Sequence, residues 1–353
     1  MNARLTFPSS SMPKQAGFTL IELLISMAMG IALIAVVFLS YQNISGSNRL
    51  SAAQQQMNED AQAAFQVLGQ QMRSAGYNPL QPRTTVPVRN MLSPAALAAN
   101  EVGMGIFGCK NGFSNGSGAS PAANMSALTC ASTGDNVGLA VQYEADAFSP
   151  TVSGSSPADC RKAAVPTLSQ SLTTAAGAPA PAATYSLIEN RFFILNGGLS
   201  CTGNGGTPFS NPSQPLVGNI EKMEVQFGLV NPIAAAGTTP AAINAAQFVS
   251  GYLDADKIGD ATGLPGAGVD AGFPATLTGS RRWDLVRTVR VCLVVKSASP
   301  MLVDSLGTSG SNTIFGYYAG CNPTDSTQIN ITDRFLRKAY VMHFALRNRI
   351  TLP

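Results

Sequence analysis

Charge is scarce in this chain: Asp, Glu, Lys and Arg together make up 12% of 353 residues, and the formal net charge is only +3. Two of the positive charges, Arg4 and Lys14, sit in the first seventeen residues, and without them bases and acids nearly balance. Nucleic-acid binding leans on clustered Lys and Arg, so this composition supplies no electrostatic footprint for it, and no direct nucleic-acid binding is expected. Histidine is reduced to a single residue, His343. A Ser-His-Asp or Cys-His constellation therefore has one candidate base, within an apolar strand-like run, and no local support. No catalytic residue is assigned. The six cysteines contain no C-x-x-C pair and lie far from that histidine, which argues against zinc.

What is present begins with an apolar run from Phe18 to Tyr41 whose only charge is Glu22. At 1.5 Å per residue it makes about 36 Å of helix, enough to cross a hydrocarbon core of about 30 Å. The basic leader before it carries no acid and should stay in the cytoplasm, sending the rest across. No A-x-A-like cleavage site follows the apolar core, so a secretory signal peptide fits poorly. A lone acid in such a segment is costly, and Glu22 is by default a functional residue. The bland alternative is a carboxylate that snorkels to the interface.

Beyond the span, Leu50, Ala53, Met57, Ala61, Ala64, Leu68, Met72 and Ala75 recur at intervals of three and four, an amphipathic helical stripe. Gly76 and Pro79 mark its end. Asn43 to Asn48, with Gly46 and two serines, is the place where the helix could bend. The expected organisation is a leader over 1–17, a long helix over 18–77 (18–41 in the membrane, 42–77 amphipathic), and a globular domain over 78–353.

From Asn78 onward, short apolar runs alternate with Gly, Ser, Pro and Ala tracts. Val137–Tyr143, Tyr185–Leu195, Met223–Leu229, Val286–Val295 and Tyr340–Leu346 read as strands, and 111–133, 146–183, 231–247 and 261–280 as long loops. In Val289–Val295 the odd positions form the buried face, leaving Arg290 and Cys292 on the other. Cys109, Cys130, Cys160, Cys201, Cys292 and Cys321 all follow the apolar span, and an even count there suits three disulfides in an oxidising compartment. Fifteen pairings exist, and the sequence does not choose among them; near neighbours, 109–130, 160–201 and 292–321, are the expectation. Asp254, Asp256 and Asp260 have the spacing of a calcium loop, but no Glu closes it and Lys257 intrudes, so a solvated turn is preferred over calcium and no other cofactor is expected. The bases Arg334, Arg337, Lys338, Arg347 and Arg349 read as a solvated strand edge guarded by charge.

The motif Gly17-Phe18-Thr19-Leu20-Ile21-Glu22 at the mouth of a long apolar helix resembles the class III signal of type IV pilins and pseudopilins. The resemblance implies cleavage between Gly17 and Phe18 by prepilin peptidase and N-methylation of Phe18. It implies an α+β pilin-like fold, the long helix packed on an antiparallel sheet domain in the periplasm. Gln66–Tyr77, Ile220–Gly228, Trp283–Val291, Asp333–Lys338 and Leu346–Asn348 resemble blocks of PilW-type minor pilins. On that resemblance the expected partners are other minor pilins, the major pilin and the inner-membrane assembly platform. The expected place is the inner membrane and then the pilus, at its tip, of a Gram-negative bacterium. Glu22 is then the assembly contact, pairing with the amine of a neighbouring subunit. The alternatives are a J-type pseudopilin of type II secretion, and, from another class, a tip adhesin or DNA receptor that binds through its loops. A membrane-anchored periplasmic enzyme comes last.

Overall fold

A computed structural model describes residues 17–77, 105–114, 125, 128–134, 137–145, 149, 151–152, 156–173, 179–206, 213–230, 248–259, 280–283, 285–300, 321 and 335–349. One helix, α1, runs Leu20–Ser74. The chain divides into a unit up to Ala52 and a unit from Ala53 onward.

In the first unit, α1 is helical through Asn43–Asn48, so Gly46 does not break it. Its apolar side chains are bare: Leu23, Ile31, Leu33, Val37 and Phe38 are among many that are more than half exposed. A run of straight-chain and β-branched hydrophobics with no polar face has no core to bury against here; lipid is the solvent that suits it.

The second unit opens with the stripe. Ala53, Met57, Ala61, Ala64, Leu68, Met72 and Ala75 are all buried, joined by Phe65, whereas Leu50 is exposed and lies before the stripe begins to bury. Each large side chain buried in this way contributes about 1.5–3 kcal/mol. The helix stops where expected: Gly76, at φ 70, takes the left-handed conformation that glycine tolerates. Its N–H then donates to Gln142 O, handing the chain to the sheet.

Two antiparallel sheets receive the helix. The first comprises β1 (Ile106–Cys109), β2 (Gly138–Glu144), β5 (Thr167–Thr173), β6 (Pro179–Leu195), β7 (Gly198–Gly203) and β8 (Gln214–Val217), in the order β1-β2-β6-β7-β8 with β5 also on β6. A small ribbon pairs β3 (Thr151–Val152) with β4 (Ser156–Pro157). The second sheet is β10-β9-β11-β12, from β9 (Ile220–Val230), β10 (Val249–Asp254), β11 (Val286–Lys296) and β12 (Arg337–Ala345). Among the described residues between β10 and β11 are two short helices, α2 (Ala255–Ile258) and α3 (Ser280–Trp283).

Strands with clean alternation fall where the pattern puts them. Met223, Val225, Phe227 and Leu229 of β9, and Val289, Val291, Leu293 and Val295 of β11, are buried, while Glu224, Gln226 and Arg290 are half-exposed. Other expectations need correction. Residues 146–183 are not one loop: β3, β4, β5 and the start of β6 lie within it. The last strand begins at Arg337 and ends before Leu346. β1, β7, β8 and β10 also escaped the pattern, being short and rich in Gly, Ser and Pro. β7 forms because Asn196 and Gly197, both at positive φ, make the two-residue turn that matches strand twist and folds it back on β6.

The core joins all three parts. Trp283, fully buried, meets Phe107 of the first sheet at 4.9 Å and Phe227 of the second at 4.8 Å, both edge-on, and its Nε1 donates to Gly259 O. These edge-to-face contacts add about 0.5–1.5 kcal/mol beyond area. Asn190 donates to Gln71, Tyr340 to Asn58, and Asn219 to Asp60, so polar groups of both sheets and of the link between them register the helix. Gly69 lets β12 approach: a Cβ there would sit 2.9 Å from Phe344 Cε1.

Candidate functional site

The N-terminal motif forms a small, exposed constellation in the first unit. Thr19 precedes the first helical residue. Its backbone N–H donates to Glu22 Oε2 at 3.0 Å and its hydroxyl to the same oxygen at 3.1 Å, while Glu22 N–H donates to Thr19 Oγ1 at 3.4 Å. This is a reciprocal capping box, with the acid also at the positive end of the helix dipole. The signal was legible as Thr-x-x-Glu at the start of an apolar run, and reading Glu22 as an assembly contact or a snorkelling carboxylate did not include it. Phe18 is 89% exposed, and Gly17 before it has nothing within 4 Å of an added Cβ.

The other predicted residues lie in the second unit. The disulfides are Cys109–Cys130, Cys160–Cys201 and Cys292–Cys321. The second is accompanied by a buried latch: Arg161 donates to Asp159 and to the carbonyls of Gly203 and Gly205, and Asp159 accepts the N–H groups of Ala163 and Gly205. Asp254 and Asp256 converge, but on Lys110, whose Nζ lies 3.4 and 3.5 Å from them. A positive charge of the chain itself thus lies against both carboxylates. Asp260 lies outside the described residues.

His343 is exposed on the edge strand, its Nδ1 3.1 Å from the Tyr252 hydroxyl, which also accepts from Thr288. Among the C-terminal bases, Arg337 corrects the expectation of a solvated edge. It is 6% exposed and forks onto Glu221, donating from Nη2 at 2.9 Å and from Nε. Lys338 and Arg347 are exposed, and Arg334 lies outside the described residues.

Sequence reasoning also missed the buried charges of the first sheet. Arg191 and Glu189, both essentially without solvent access, pair at 2.7 Å. Burial pushes the Glu189 carboxyl up, against the opposing pull of Arg191. Glu144, at the end of β2, is pushed up to about 7 by burial. No local pattern marks an acid as buried; only the packing of β2 against β6 does so.

Residues 12–38 match the family described as Prokaryotic N-terminal methylation motif, and residues 191–348 match Type IV Pilus-assembly protein W. The second match contains the later resemblance blocks and leaves Gln66–Tyr77 outside it. A solved type IV-like pilin from Thermus thermophilus aligns with 83% of this chain and 98% of its own, at 10% identity and a TM-score of 0.35. Comparison with curated protein sequences found no match. The apolar helix with its methylation motif and the antiparallel sheet domain are the features of a type IV pilin-like fold, and the helix is long and apolar enough to cross a membrane. The chain's sheet domain is similar to the PilW family over residues 191–348, a match that falls on the strands from β6 to β12.

Proposed function

We propose that this chain is a minor pilin, a non-catalytic subunit of the complex that starts type IV pilus assembly and sits at the pilus tip. The observation that carries the reading is the presence in one chain of a methylation-motif helix with bare apolar sides and a PilW-type sheet domain. In this reading prepilin peptidase cuts between Gly17 and Phe18, and Phe18 is N-methylated. The helix holds the subunit in the inner membrane with the disulfide-bonded unit in the periplasm, and other minor pilins, the major pilin and the assembly platform are its partners.

Glu22 then has two successive duties. Before assembly its carboxylate is satisfied by Thr19 in the capping box. During assembly it pairs with the Phe18 amine of a neighbour, an attraction that low dielectric strengthens and that serves register more than strength.

Two variants separate the duties. Glu22→Gln keeps a capping side chain and loses the charge; Glu22→Ala loses both. Membrane insertion and leader cleavage are expected to persist in both, with filament incorporation lost in both. Normal incorporation of Glu22→Gln would remove the charge-pair role and leave only capping. A clean deletion scored for surface pili, twitching and secretion tests the wider reading: lost secretion with intact pili would transfer the chain to the pseudopilins.

A further inference from the structure

The outer face of the second sheet carries a cleft of about 400 Å³ among whose lining residues are Lys110, Lys222, Glu224, Gln226, Asp254 and Arg290. Two disulfides brace it: Lys110 follows Cys109, which is tied to Cys130, and the Cys292–Cys321 bridge is itself part of the wall.

The charges here are unequally satisfied. Lys110 is shared by Asp254 and Asp256, and Lys222 lies 2.6 Å from Glu224. Each ammonium thus has a carboxylate. Arg290 has none among the described residues: its Nη1 donates to the neutral Gln226 Oε1 at 2.9 Å, and Gln226 Nε2 donates in turn to Asp254 at 3.1 Å. Its cross-strand neighbours are Gln226 on β9 and His343 on β12. A guanidinium carries five N–H donors in a rigid fork that matches a carboxylate. The run Lys110–Asp254–Gln226–Arg290 already orders the groups around it, which lowers the entropic cost of binding.

The geometry points to a carboxylate-binding site centred on Arg290, the carboxylate being an acidic side chain or chain end of a neighbouring pilin-class subunit. The identity of the partner rests on the pilin reading; the binding chemistry does not. A peptide fits better than an acidic sugar. The described wall offers no aromatic ring on which a sugar could stack, and Glu224 and Asp254 stand near as acceptors for the N–H groups that accompany a peptide carboxylate.

The full-length chain in detergent micelles, titrated by calorimetry with N-acetyl-Gly-Asp-Gly amide, the Asn counterpart and glucuronate, tests the chemistry. Saturable binding of the Asp peptide is expected, weakened about tenfold by the Asn replacement and about tenfold by Arg290→Gln, with Arg290→Lys intermediate because it keeps charge without the fork. Absence of saturable binding, or affinity untouched by Arg290→Gln at an unchanged unfolding midpoint, would overturn the site. If the midpoint moves, the Arg290→Lys comparison decides, and equal affinity for wild type and Arg290→Lys would overturn the fork. Preference for glucuronate would overturn the peptide assignment.

In cells, Arg290→Gln should abolish co-purification of other pilin-class subunits while leader cleavage continues. Persistence of co-purification would overturn the partner. If gene deletion left pili intact, the pilin reading would fail while the titration result still stood.

Discussion

The two units of this chain use hydrophobic residues in opposite ways. Up to Ala52 they are left bare around a helix; from Ala53 they form a stripe on one face and disappear beneath two sheets. The same secondary structure thus serves two solvents, and the difference is periodicity. A helix apolar on every side has no way to be soluble, whereas one apolar at intervals of three and four has one face for a core and three for water. Electrostatics follow the same division. The acid of the first unit is exposed and capped locally by Thr19, while two acids of the second, Glu189 and Asp159, are buried and held by arginines.

The widest separation between the units should come from the buried ion pair. Arg191→Met strands Glu189 without its partner and is expected to cost about 3–5 kcal/mol, read as a lower denaturation midpoint. A restoring Glu189→Leu in the same chain should recover much of that loss. Leu68→Ala, in the stripe, should cost about 2–5 kcal/mol, since it empties a fully buried site. Leu33→Ala, on the exposed helix, should leave the same midpoint within about 0.5 kcal/mol. Equal losses at Leu68 and Leu33 would break the distinction between the units.

Acidity offers a subtler test. The Glu144 carboxyl is pushed up to about 7 in the folded unit, above its ordinary value of 4.5. Folded protein therefore holds that proton where the unfolded chain has released it. The stability this confers is complete below pH 4.5 and is lost as pH rises through about 7, on the order of 1–3 kcal/mol. Glu144→Gln should flatten the unfolding midpoint between pH 5 and 8.

In the first unit, Thr19→Ala removes half the capping box and should cost about 1 kcal/mol of local helix stability, visible as faster amide exchange at Leu20 to Glu22 with no change in the sheets. Least of all, calcium should move the unfolding midpoint of the wild type by less than about 1 °C, because Lys110 competes for Asp254 and Asp256. A larger rise would revive the calcium loop.

Legibility tracked the range of the interaction. The helix, its stripe and the alternating strands β9 and β11 were readable because each is a periodic pattern over consecutive residues. β7 and β10 were not, since Gly, Ser and Thr carry little hydrophobic signal and become strands only when a partner supplies hydrogen bonds. Arg337 read as a solvated base because nothing near it in sequence announces Glu221, more than a hundred residues away. The capping box was local and could have been seen.

By itself the sequence determined that there is a membrane-competent helix, where its methylation motif lies, where its amphipathic half ends, and that β9 and β11 each have a buried face. Periodicity, propensity and capping act between neighbours, so the chain carries them openly. Only the tertiary structure decided that Arg290 is left without a carboxylate among the described residues, that Lys110 lies between two aspartates, and that Arg191 is sealed against Glu189. Those outcomes depend on which strands pair and in what register, and burial and Coulomb forces act on that arrangement, not on the order of residues along the chain.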